Sequence, residues 1–267
     1  METGVIDSIE TKADLLLGWD GMRLQWLLAQ NLEVLDWGLF EAEDGSNLEA
    51  SMNSLNKRIT EGVGRVTYTT IRPVFTLCPA QLAKGNEQAI MALHLGGSRK
   101  SWSTYYSHSF GDEMAMLEAE DEGLEQAVLS HWPFAKRKSS ALAWLEKSAI
   151  MSSNDEVKVL IDCSSERSMM ARIENGQLTW SMTSFDTEGD GILYHVVNAL
   201  HRDGMNPESS NVRVEFSGSV SEGASLMESF KRFFPHVTLA FPDCSWKSTP
   251  PKDLVQWTLL SRLLPCE

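Results

Sequence analysis

At 267 residues the chain is long enough for one large domain or two ordinary ones with a sizeable core. Its 42% hydrophobic and 22% charged residues exclude a disordered chain. A formal charge of −14 argues against nucleic acid or an anionic membrane as a general partner and leaves room for a protein partner with a basic surface.

Met1 to Lys12 is polar and carries Glu2, Asp7 and Glu10 where a secretory leader needs cationic residues. No apolar run approaches the roughly 18 residues of a membrane span. Cys78, Cys163, Cys244 and Cys266 are scattered, without a CxxC pair or a His at ligand spacing. These features predict a cytoplasmic protein with reduced, buried thiols and no zinc site.

In chain order, the apolar runs Ala13–Gly21 and Met22–Ala29 meet at Asp20-Gly21, a hairpin signal. A third strand is predicted over Glu33–Glu41, ending at Asp44-Gly45-Ser46-Asn47. Leu48, Met52, Leu55 and Ile59 then give a helix over 48–61, with Gly62 as its stop. A fourth strand, Val63–Thr70, leads into Arg72-Pro73. The middle of the chain predicts a helix after Pro79 closed by Gly96-Gly97, short strands at 105–110 and 114–119, and helices at 121–132 and 140–151. Glu118-Ala119-Glu120-Asp121-Glu122 reads as a solvated acidic face, and Lys136-Arg137-Lys138 as a small basic patch.

From Val157 the pattern repeats. Val157–Asp162 is a strand, Ser168–Glu174 a second, and Gln177–Phe185 a third across Asn175-Gly176, the pair favoured where both turn residues need positive φ. Thr187-Glu188-Gly189-Asp190 resembles a capping box at the start of a helix that ends at Gly204. The strand Val212–Phe216, a helix with Leu226 and Phe230, and the strand Val237–Phe241 follow. An amphipathic helix over Lys252–Leu264 closes the chain and is expected to dock on its own domain.

Hairpin, third strand, helix and fourth strand thus occur twice, which points to two α/β lobes at residues 1–151 and 152–267. That order resembles the ribonuclease-H-like lobes of actin-like ATPases, and so implies an α/β protein with mixed sheets. In that superfamily, the resemblance implies, the first hairpin of each lobe cradles phosphate through an Asp-x-Gly turn. A Gly-Gly pair after the fourth strand of the second lobe approaches adenosine. The matching positions here are Asp20 and Gly21, Asp162 and Ser164, and Ser217 and Gly218. Ser164 replaces a glycine, Trp19 crowds Asp20, and Ser217-Gly218-Ser219 offers one glycine for two. The plain alternative makes the aspartates turn residues and Gly218 a packing residue.

Two further segments, Phe75–Leu82 and Trp180–His195, resemble motifs of the bacterial family called domain of unknown function 3822. That resemblance implies a two-lobed actin-like fold and assigns no reaction and no catalytic residues. The expected function is a binding or scaffold protein with degenerate phosphate motifs. The alternative is a nucleotide-binding ATPase or phosphotransferase using the interlobe cleft, with ATP and Mg²⁺ as cofactor. Trp246 and Trp257, if exposed, would mark a contact patch for assembly.

Overall fold

The computed structural model describes residues 12–41, 48–59, 62–94, 104–111, 113–120, 123–152 and 155–264. The expected stops at Asp44–Asn47 and Gly96-Gly97, the acids Asp121 and Glu122, and Cys266 lie outside the described residues.

The first lobe opens with β1 (Ala13–Trp19), β2 (Arg23–Gln30), β3 (Glu33–Glu41), α1 (Leu48–Arg58) and β4 (Val63–Thr70). An inserted unit follows: β5 (Val74–Pro79), α2 (Ala80–Ala83), α3 (Glu87–His94), β6 (Thr104–Phe110) and β7 (Met114–Glu120). The chain returns through α4 (Leu124–His131) to β8 (Lys136–Arg137) and then α5 (Ser140–Ile150). The second lobe comprises β9 (Val157–Cys163), β10 (Ser168–Glu174), β11 (Gln177–Ser184), α6 (Gly189–Arg202), β12 (Val212–Gly218), α7 (Ser225–Lys231) and β13 (His236–Leu239). β14 (Ser245–Trp246), a 3-10 turn at Leu254–Trp257 and α8 (Thr258–Ser261) complete it.

Among the described residues, the first sheet runs β14-β3-β2-β1-β4-β8 and the second β11-β10-β9-β12-β13. Apart from β14, each follows the same plan: an antiparallel meander, a helical crossover to a fourth strand parallel to the first, and a fifth strand parallel to the fourth. The central strands are apolar on both faces because helices cover both sides. In β1, Leu15, Leu17 and Trp19 pack towards α1 and α4, while Leu16 joins the opposite core. In β9, Val157, Val159 and Ile161 face α6 and α7, so strand alternation turns Leu160 towards the other lobe.

The Asn175-Gly176 turn has φ of 51° and 74°, the geometry its composition demands. The capping box is not formed: Glu188 is the N-cap of α6 and makes no side-chain cap bond. The closing helix is also shorter than its apolar pattern predicts, and it docks on the first lobe. Trp257, Leu260, Leu263 and Leu264 pack with Leu16, Leu27, Ala29 and Val34. β14 adds a parallel strand to β3, and Trp37 Nε1 donates to Thr249 O at 3.0 Å. The two lobes therefore exchange their closing segments: α5, which follows β8, packs on the second sheet through Trp144 and Leu145. Trp257 is fully buried and Trp246 packs against the same core, so neither forms the exposed patch that assembly would need.

The inserted sheet runs β5-β7-β6. Ala115, Leu117 and Ala119 face α3 with Met91, and the alternate residues Met116, Glu118 and Glu120 face the body of the protein. Glu118 and Glu120 are thus buried, at 0% and 1% exposure, where the sequence suggested a solvated acidic face. Arg137 on β8 compensates both: Nη2 lies 3.2 Å from Glu118 Oε2, and Nε donates to Glu120. His108 Nε2 lies 3.0 Å from Glu118 Oε2, and the Arg137 guanidinium stacks 3.6 Å from the Tyr106 ring centroid.

Candidate functional site

The two hairpin turns and the end of β12 meet between the lobes. Asp20 sits on the β1–β2 turn, where Gly21 takes φ of 99°. Its carboxylate is used by its own turn: Oδ1 accepts from Met22 N at 3.0 Å and Arg23 N at 2.7 Å, and Oδ2 accepts from Arg23 Nε at 2.9 Å. Ser164 closes the β9–β10 turn in the same way. Its Oγ accepts from Glu166 N and Arg167 N at 3.2 and 3.1 Å and donates to Arg167 O at 2.9 Å. Both residues behave as the local turn-makers that their side chains favour.

Asp162 is different. Strand alternation buries it completely between the lobes, where Oδ1 accepts from Arg72 Nε and Oδ2 accepts from Ser217 Oγ at 2.5 Å. Burial pushes the Asp162 carboxyl up from its ordinary value, and the Arg72 guanidinium and the Ser217 hydroxyl draw it part of the way back. The adjacent Cys163 thiol is pushed up to about 12 by burial and then by Asp162, so it is not a nucleophile at neutral pH.

Gly218 pairs with Cys163 at φ of 87°, and a Cβ there would fall 2.2 Å from Cys163 O and 2.7 Å from Arg72 Nη2. The space above this glycine is therefore occupied by the Arg72 guanidinium. Arg72 itself is 1% exposed and adopts φ of 55°, a left-handed backbone that a non-glycine residue holds only when its surroundings enforce it.

Asp20, Arg72, Ser164 and Glu166 line the remaining gap of about 20 Å³, room for about one water molecule. The structure brings the two turns together, with Asp162, Ser217 and Gly218 beside them. The residues do not fit a nucleoside triphosphate with Mg²⁺ in this conformation: both aspartates are already bonded and Arg72 fills the slot. Sequence reading missed Arg72, whose partner is 90 residues away. Its only local mark is the preceding-proline position, which disfavours helical backbone. No group of His, Cys, Asp and Glu suited to a metal occurs among the described residues.

No family model matches the sequence, and no curated protein matches it. A protein of unknown function with an actin-like ATPase fold from Bacteroides thetaiotaomicron is similar over 89% of this chain and 94% of its own. The TM-score is 0.74 and the identity 16%. A chain of the PilM-PilN type IV pilus biogenesis complex is similar over 96% of this chain and 97% of its own, with a TM-score of 0.60 and 12% identity. The protein therefore has the actin-like ATPase fold, with two lobes of mixed α/β structure. These comparisons do not confirm membership of the family called domain of unknown function 3822. No helix among the described residues is long and apolar enough to cross a membrane.

Proposed function

We propose that this is a cytoplasmic, bacterial binding or scaffold protein, akin to the domain of unknown function 3822 family, whose lobes at 1–151 and 152–267 no longer use nucleotide. The observation that carries this reading is the Arg72–Asp162 pair, which ties the lobes together across the position of the expected phosphate cradle. A cradle must offer free backbone amides and small residues to an anion. Here Asp20 and Ser164 take up the amides of their own turns. A protein partner is the ligand class that suits a closed cleft, and one neighbour of this fold belongs to a PilM-PilN type IV pilus biogenesis complex. Calorimetric titration with Mg·ATP tests the reading: no binding heat is expected, and micromolar binding with turnover overturns it.

The second reading, an ATPase or phosphotransferase, is favoured by one observation. Arg72 Nη1 and Nη2 are buried donors without an acceptor beside the gap, a cost of about 1–3 kcal/mol each. If the lobes opened, those donors could face a phosphate, with Asp20, Gly21, Asp162, Ser164, Ser217 and Gly218 around it. Nucleotide-dependent change in interlobe distance, measured between spin labels on the two lobes, would favour this reading over the first.

A further inference from the structure

A second cavity, sharing no lining residue with the interlobe gap, lies where α5 and the C-terminal segment meet the edge of the first lobe. Its volume is about 430 Å³, within the range of small-molecule sites. Arg137, Lys138, Lys147 and Arg262 line it, with Glu146 as the opposing carboxylate. This is a concentration of positive charge in a protein whose formal charge is −14.

Arg262 is the decisive residue. It is 5% exposed, its Nη1 donates to Met151 Sδ at 3.2 Å, and its buried Nε has no acceptor. Among the described residues no carboxylate pairs with Arg262, Lys138 or Lys147, and the Lys147 ammonium donates only to the Leu264 carbonyl, at 3.0 Å. A buried guanidinium with no carboxylate partner among the described residues is costly, and an anion bound beside it would relieve that cost. Arg137 is already committed to Glu118 and Glu120, so the free charge belongs to the other three. The rest of the lining is the polar pair His108 and Ser139 and an apolar set, Leu142, Ala143, Ile150, Leu263 and Leu264.

We propose that this cavity binds a small amphipathic organic anion, its carboxylate or phosphate head on Arg262, Lys147 and Lys138 and its apolar body against the leucines. The assignment does not depend on the reading of the interlobe gap.

Isothermal titration of the full chain with octyl phosphate, octanoate, octylamine and inorganic phosphate tests it, each kept below its micellar concentration. At least one octyl anion should bind ten-fold or more tightly than inorganic phosphate, with octylamine giving no heat; the tighter anion identifies the head group. The Lys138→Gln/Lys147→Gln variant, altered at partly exposed positions, should bind that anion at least five-fold more weakly, and Arg262→Met more weakly still. If Arg262→Met does not fold, the lysine variant decides alone. Absence of binding by both octyl anions at low millimolar concentration, equal binding of octylamine, or unchanged affinity in the lysine variant overturns the proposal.

Discussion

Arg72 and Asp162, 90 residues apart in sequence, form a buried ion pair, with side chains 1% and 0% exposed. One partner follows the fourth strand of the first lobe and the other is the penultimate residue of the first strand of the second. Removing one member of such a pair leaves a charge in a site that cannot solvate it, whereas removing both leaves only a packing change. The Arg72→Met variant should lose about 3–5 kcal/mol of stability. The double variant Arg72→Met/Asp162→Asn should return to within about 2 kcal/mol of the natural protein. Urea unfolding of the three chains, with unchanged slope, measures both.

The same pair sets a pH dependence. Burial lifts the carboxyls of Asp162 and Glu120 above the ordinary carboxylate value, which is about 4. Between that value and the lifted one the folded chain holds more protons than the unfolded chain. These groups therefore add stability as pH falls through the window, and the contribution is gone once pH rises above the folded value. Without Arg72 the Asp162 carboxyl is lifted further and its window widens. The deficit of Arg72→Met should accordingly shrink as the solution is acidified. Denaturation midpoints of both chains across a mildly acidic to neutral series test this; a constant deficit would contradict it.

Gly218 tolerates nothing larger. An added Cβ meets the Cys163 carbonyl at 2.2 Å, a rigid backbone atom, and the residue holds φ of 87°. The Gly218→Ala change combines overpacking with an unfavourable left-handed backbone, at about 2–5 kcal/mol in sum. Thermal unfolding should register this as a clear drop in Tm. Gly223, whose φ is 80° with open space around its Cβ position, should cost only about 1–2 kcal/mol when changed to Ala.

Trp257 anchors the C-terminal segment on the first lobe. It is 0% exposed and its ring meets Trp37 at 5.5 Å and 71°, an edge-on contact. Truncating Trp257→Ala should cost about 3–5 kcal/mol. Trp246→Ala, at the partly exposed two-residue strand β14, should cost less. Chemical denaturation of the two variants ranks them, and a larger effect at Trp246 would contradict the packing described.

The fold was largely legible because its signals are local. The strands 33–41 and 63–70 and the Asn175-Gly176 turn follow from alternation and turn chemistry within a few residues. What escaped reading depends on distant partners. Glu118 and Glu120 belong to a linear acidic run, yet in a strand they share one face with Met116, and Arg137 waits there to neutralise them. The Lys136–Arg137 dipeptide reads as a surface patch because nothing near it announces that it will extend a sheet beside β4. At the candidate site, Asp20 and Ser164 are recognisable as turn residues from their neighbours. That Asp162 is bonded to Arg72 could not be read, since the two meet only when both lobes are built.

The exchange of outer layers carries a consequence for how the molecule unfolds. Trp144 of α5 is sealed against the second sheet, and Trp257 is sealed against the first. Each half thus wears a cover sewn from the other half's thread. Stripping either one exposes both, so calorimetry should record a single heat-absorption peak, and a chain nicked beside Ser152 should stay together until that peak is reached.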